Sequence, residues 1–481
     1  MTHYEAVIGL EIHIQLLTKS KAYSSDPAEY GSAPNTNVSP VTLGHPGTLP
    51  FFNKKALEFA VKLGLACNSQ ISLSSHFARK NYFYADLPKG YQITQDTTPV
   101  CKGGYITIKT SQGITKNIGL TRIHMEEDAG KSIHDQDPYD SLIDLNRAGV
   151  PLLEMVSEPE IRSGEEAYQY ITEVRKLVRY LEICDGNMEE GSLRCDANIS
   201  LRKVGTEKFG NKVEVKNMNS MRNVQRAIEH EIIRQQEVLD KGEIIPVETR
   251  SFDAVKGTTF SLRSKELAHD YRYFPEPDLP PVVITQNYIT EVKKQMPALP
   301  AELFEKYTSE LGLSEYDAGI ITDQKDTALY FEELIKHTDN YKSAANWLMG
   351  PVRSHLNESA ITIENFNVPV SSIAKLIKMI DENKISYSVA SQKIFQEMIT
   401  GTEKDPEKIA TQNNLLQESD QDSLRDYVHQ AIAKYPDKVK EYKSGKTGLL
   451  GLFMGEVMKL SKGKADPKAA NQIVKEVLES E

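Results

Sequence analysis

The stretch EAVIGLEIHIQL, Glu5 to Leu16, alternates without a break: Glu5, Val7, Gly9, Glu11, His13 and Gln15 on one side, Ala6, Ile8, Leu10, Ile12, Ile14 and Leu16 on the other. A period of two is that of a β-strand with one face in a core. The opposite face carries Glu11 and His13, two residues apart and pointing the same way. The pattern recurs along the chain. In MEEGSLRCDANISL (Met188 to Leu201), Ser192, Arg194, Asp196, Asn198 and Ser200 alternate with Leu193, Cys195, Ala197, Ile199 and Leu201, and in Lys212 to Lys216 the residues Lys212, Glu214 and Lys216 oppose Val213 and Val215. TRIHMEEDAGKS, Thr121 to Ser132, crowds charges around Ile123 and Met125 and reads as a half-buried strand running into an Ala-Gly turn. DLNRAGVPLLEMVSEP, Asp144 to Pro159, sets Glu154 in an apolar run, where a buried carboxylate needs a partner or a metal.

Helices follow these strands. Ser163 and Glu166 form a capping box before the stripe Tyr168, Ile171, Val174, Val178 and Leu181, and a second helix runs from about Ser220 to Gly242. Strands and helices together make an α+β catalytic domain over 1–293. The Pro-rich Asp270 to Pro281 marks its exit. Helical periodicity alone continues over 294–405, with Gly401 to Pro406 as a linker, and a helical tail occupies 406–481.

The formal net charge of -11 over 481 residues means that the surface as a whole repels nucleic acid, so contact with a polyanion needs a local basic patch. Positions 438 to 475 supply one, with nine Lys against Glu441, Glu456 and Asp466. Lys459, Lys462 and Lys464 lie within it, and a phosphate backbone or plain solvent would suit such a surface. Arg79 to Gln95, RKNYFYADLPKGYQITQ, mixes basic and aromatic residues in a way that suits phosphate or base contact as well as an ordinary aromatic strand. Four scattered cysteines without a C-x-x-C pair argue for reduced thiols and a cytoplasmic protein. No apolar window is long enough to span a membrane.

The polar strand faces gather Glu11, His13, Glu154, Arg194, Asp196, Glu214 and Lys216. Carboxylate oxygens with an imidazole suit Mg²⁺, and Lys or Arg would neutralise a transferring phosphoryl group. Gly130-Lys131-Ser132 and Gly445-Lys446-Thr447 end like P-loops but lack the first Gly, with Met125 and Lys440 in its place. No segment reads as an amidase, so any ammonia must come from elsewhere.

VIGLEIHIQL, RKNYFYADLPKGYQITQ, TRIHMEEDAGKS, DLNRAGVPLLEMVSEPEIR, MEEGSLRCDANISLR, VEVKNMNS, DYRYFPEPDLPP, NWLMG and FMGEVMKLSKGKADP, in this order along nearly the whole chain, closely resemble the B-subunit family of aspartyl/glutamyl-tRNA(Asn/Gln) amidotransferases. The resemblance implies a glutamine-synthetase-like antiparallel sheet cradle, a helical domain and a tRNA-binding tail. It implies ATP-dependent amidation of misacylated Glu-tRNA(Gln) or Asp-tRNA(Asn), with ammonia from an amidase (the A subunit) and a small C subunit to make up a heterotrimer. By motif position, His13, Glu127 and Glu154 would hold Mg²⁺ with Glu11 close by, and Lys80, Asp196, Glu214 and Lys216 would complete the ATP and acyl-transfer site. Arg194 joins them on strand parity. Parity does not choose between Glu126 and Glu127, because the turn after them leaves the register open. Many relatives carry a C-x-C and C-x-x-C zinc knuckle where this chain has Ser24, Asp26, Ser39 and Thr42, so no structural zinc is expected. The alternative is a tRNA-binding scaffold without chemistry; a freestanding ligase for a small substrate is a third reading.

Overall fold

The alternation at the N-terminus becomes strand β1, Tyr4–Gln15, whose Ile8, Leu10, Ile12 and Ile14 are fully buried while Gly9, Glu11 and His13 are half-buried on the other face. The computed structural model describes residues 4–134, 136–264, 271–417, 421–461 and 465–480. Among them, ten strands form one sheet. After β1 these are β2 (Gln70–Ile71), β3 (Cys101–Lys102), β4 (Tyr105–Lys109), β5 (Thr115–Glu127), β6 (Pro151–Ser157), β7 (Leu193–Lys203), β8 (Val213–Met218), β9 (Glu248–Asp253) and β10 (Thr258–Ser264). The spatial order is β10-β9-β8-β7-β1-β6-β5-β3-β2, with β4 also on β5. Every pairing is antiparallel except β8 with β9. β1 lies at the centre, flanked by β6 and β7.

Helices cover the apolar face. α1 (Lys54–Ala66), α2 (Gly164–Tyr180) and α3 (Met221–Asp240) contribute Val61, Ile171, Val174, Val224 and Ile228 to one core with the inward residues of β1, β5 and β7. Each begins at a side-chain cap: Asn53, Ser163 and Ser220 accept from the amides of Lys55, Glu166 and Asn223. The core also buries the free thiols of Cys67, Cys101, Cys184 and Cys195. The uncovered face of the sheet is left to the polar residues.

The chain divides into two compact units, Met1–Pro300 and Ala301–Glu481. The Pro-rich segment is not an exit from the first. Arg272–Pro275 pairs with Ala78–Asn81, and Val282–Val283 pairs with Ser74–Ser75, so ladder hydrogen bonds hold it within the first unit; Asp270 lies outside the described residues. The second unit is helical. Trp347 is buried against Phe395 and Tyr387. The helix Pro406–Gln412, capped by Asp405, packs on Val370–Asp381, so the separate core of the tail starts after the 405/406 boundary read from the sequence. That core gathers Leu424, Val428, Phe453, Val457, Ile473 and Val474. No helix among the described residues is long and apolar enough to cross a membrane.

Candidate active site

Antiparallel register sets the polar face in rows. His13 lies opposite Glu154 of β6 on one side and Arg194 of β7 on the other, and Glu154 lies opposite His124 of β5. One step along β1, Glu11 faces Asp196; on the next pair of strands Asn198 faces Glu214. Two groups of ligand-type side chains result. His13, Glu126 and Glu154 form the first and Glu11, Asp196 and Glu214 the second, each with its donor atoms within 4.8 Å of one another.

In the first group His13 Nε2 lies 3.4 Å from Glu154 Oε2 and 3.8 Å from Glu126 Oε1. His124 Nε2 is 3.6 Å from a carboxylate oxygen of each. Burial works against the charged form of both His13 and Glu154. For His13 the Glu154 hydrogen bond and the negative charges of Glu126 and Glu154 outweigh it, so its pKa is raised; for Glu154 the two imidazoles and Lys80 outweigh it and hold the carboxyl well below its usual range. In the second group Lys216 Nζ sits 2.5 Å from Asp196 and 3.2 Å from Glu214. Burial disfavours the charged lysine, but the two carboxylates keep it protonated.

The register changes one expected ligand. β5 runs straight through Glu127 before it turns, so Glu126 shares a face with His124, and Glu127 projects to the other side. There Glu127 pairs with Lys89 and accepts from the amide of Ile93 at 2.9 Å. Glu126, and not Glu127, stands beside His13 and Glu154.

The description GatB/GatE catalytic domain matches residues 6–290, and the description GatB domain matches residues 329–478. The chain is 49% identical to the B subunit of the aspartyl/glutamyl-tRNA(Asn/Gln) amidotransferase of Caldicellulosiruptor bescii, with 99% of each chain covered. It is 50% identical to that of Persephonella marina over 99% of both chains, and 46% identical to that of Brevibacillus brevis over the full length of both. The chain belongs to the GatB family.

Two more of the expected residues of this GatB-family chain, Lys80 and Arg194, fall around the two groups. Lys80 sits on the small sheet of Ala78–Asn81, Tyr91–Thr94 and Arg272–Pro275, with its ammonium 4.5 Å from the Tyr271 ring centroid. Arg194 is held at 3.0 Å by Asp128, a buried carboxylate that Arg147 also approaches. Lys459 is exposed on the helix Leu450–Leu460; Lys462 and Lys464 lie outside the described residues. Sequence reasoning passes over His124 and Asp128 as site residues and leaves Glu126 as the alternative that strand parity does not separate from Glu127. His124 and Glu126 carry the signal that exposes Glu11 and His13, ligand-type residues two apart on a strand. Asp128 meets Arg194 only through the fold. At the positions of the zinc knuckle, Asp26 Oδ2 accepts from Ser39 N at 3.0 Å, from Ser39 Oγ at 2.8 Å and from Thr42 Oγ1, and Ser24 Oγ lies 3.2 Å from Thr42 Oγ1. The four side chains tie the first long loop together by hydrogen bonds.

Proposed function

We propose that this chain is the amide-forming subunit of a tRNA-dependent amidotransferase, which converts misacylated Glu-tRNA(Gln), Asp-tRNA(Asn) or both in the cytoplasm. One observation carries the reading: two carboxylate-rich clusters meet β1 at His13 and at Glu11, two residues apart, in a chain aligned end to end with amidotransferase B subunits. A side-chain carboxylate is a poor electrophile. Transfer of the γ-phosphoryl group of ATP to its oxygen releases ADP and leaves an acyl phosphate. Ammonia then attacks the acyl carbon, phosphate departs with the C–O bonding pair, and the nitrogen gives up a proton to leave the amide.

The donor set fits Mg²⁺. Carboxylate oxygens dominate both groups, and Glu11, Asp196 and Glu214 stand within 4.8 Å of one another around a single lysine. His13, Glu126 and Glu154, and separately Glu11, Asp196 and Glu214, would hold the ion. When bound there, Mg²⁺ would supply positive charge to offset that of the transferring phosphoryl group. Lys216 and Lys80 orient and neutralise phosphate oxygens, and Arg194, fixed by Asp128, faces the same space. An amidase, the A subunit, supplies ammonia from glutamine; a small C subunit makes up the heterotrimer, and the tail's lysines engage the tRNA backbone.

The test is transamidation by the reconstituted heterotrimer on both misacylated tRNAs, with and without ATP. Amide formation only with ATP, and its loss in Glu126→Gln with tRNA affinity retained, is the expected result. A Glu126→Gln complex that kept both would indicate a scaffold, and ATP hydrolysis indifferent to misacylated tRNA would count against the mechanism.

A further inference from the structure

Each carboxylate of the first group stands between two imidazoles. Glu154 Oε2 lies 3.4 Å from His13 Nε2 and 3.6 Å from His124 Nε2, and Glu126 reaches the same two nitrogens at 3.8 Å and 3.6 Å. Four side chains therefore close a ring in which carboxylates and imidazoles alternate. The register builds it. Glu154 of β6 is flanked by His13 of β1 and His124 of β5, and Glu126 follows His124 by two residues on the same strand face. Thr94 Oγ1 adds a hydrogen bond to Glu126 Oε2 at 3.3 Å.

The two imidazoles are not equivalent. The His13 side chain is 19% exposed and borders the open side of the ring, whereas that of His124 is 6% exposed and closes its back. Arg122, two residues before His124, donates from Nε to His124 Nδ1 at 3.3 Å. A guanidinium keeps its protons, so Nδ1 is the acceptor of that bond and the ring proton belongs on Nε2, the atom that faces both carboxylates. An N–H in that place has no lone pair to give a metal. At 3.6 Å it is also too far for a full hydrogen bond, so it attracts both carboxylates while leaving their lone pairs open.

We propose that His124 is a positioning residue: its Nε2–H, set in that tautomer by Arg122, holds Glu126 and Glu154 converged from behind, so that a divalent cation entering from the His13 side meets a formed site. This rests on the reading that His13, Glu126 and Glu154 hold the ion. Two carboxylates this close repel each other while no cation lies between them. The positive end of the N–H dipole offsets part of that repulsion, and the work of gathering the ligands is done before the ion arrives rather than drawn from its affinity.

The test is Mn²⁺ binding to the assembled complex without ATP or tRNA, followed by the electron paramagnetic resonance of the free ion. Glu154→Gln first identifies the binding that belongs to this group. Two polar replacements then separate the role of His124 from mere folding. His124→Gln places an amide N–H near the position of Nε2 and should keep Mn²⁺ affinity near wild type. His124→Asn places its amide near Nδ1, short of the carboxylates, and should weaken the same binding by about 10- to 100-fold. Transamidation by His124→Asn should be slow at low Mg²⁺ and recover most of its rate as Mg²⁺ is raised, which a misfolded chain would not do. Wild-type Mn²⁺ affinity in His124→Asn overturns the positioning role while the metal site stands, and so does tighter binding, which would make His124 a competitor of the ion. Wild-type Mn²⁺ binding in Glu154→Gln overturns the parent reading of this group as a metal site, and the role of His124 with it.

Discussion

Glu126 and Glu127 are neighbours in the chain and opposite in what they touch. Glu126 meets two imidazoles on the open face, and Glu127 neutralises Lys89 on the other. The two Gln substitutions should therefore fail differently. Glu126→Gln removes one member of a crowded carboxylate pair; activity should fall about 100-fold with the thermal midpoint near wild type. Glu127→Gln leaves the Lys89 ammonium buried without its counter-charge and should lower stability by about 3 kcal/mol. Transamidation assays and thermal melts on the same samples check both.

In the first long loop, Ser24, Asp26, Ser39 and Thr42 are tied together by side-chain hydrogen bonds. Burial raises the Asp26 carboxyl pKa, but hydrogen bonds from Thr42, Ser39 and Ser24 outweigh it and hold it below the ordinary 3.8. A carboxyl depressed in the folded state contributes stability above its unfolded pKa and loses it as pH falls through the folded value. Asp26→Asn should therefore be less stable than wild type by about 1 kcal/mol near pH 6. The two unfolding curves should converge in acid below the Asp26 pKa. Purified complex should bind no stoichiometric zinc, which metal analysis checks directly. Elements of this kind also mark the limit of legibility in a sequence. The strands β1, β7 and β8 are readable because period two shows in the residues themselves, and with them Glu11, His13, Asp196, Glu214 and Lys216. The choice between Glu126 and Glu127 is not legible because the residues cannot say where β5 stops, and one residue of strand decides the face. The Pro-rich segment reads like a linker because its partner, Ala78–Asn81, lies almost two hundred residues earlier in the chain. Asp128 meeting Arg194, and Asp26 meeting Ser39, are likewise products of tertiary approach.

Across the whole molecule, charge is divided unevenly. The net charge is -11, yet the tail carries a surplus of lysine, with Lys459 on its helix Leu450–Leu460. Replacing Lys459, Lys462 and Lys464 by Gln should weaken tRNA binding at low salt and flatten its salt dependence by about 0.7 to 0.9 for each phosphate no longer neutralised. Equal affinity at every salt concentration would exclude the tail from tRNA binding. The cysteines are divided as unevenly. All four lie in the core of the first unit, none more than 2% exposed, and the sequence after residue 300 has none. Burial pushes the Cys67 thiol up to about 12 and that of Cys184 up to about 11, so few thiolates exist at neutral pH. A disulfide reagent should thus pass over the native chain and modify it only as the catalytic sheet opens. The chain carries its own clock for the unfolding of one half, silent to whatever the helical half does.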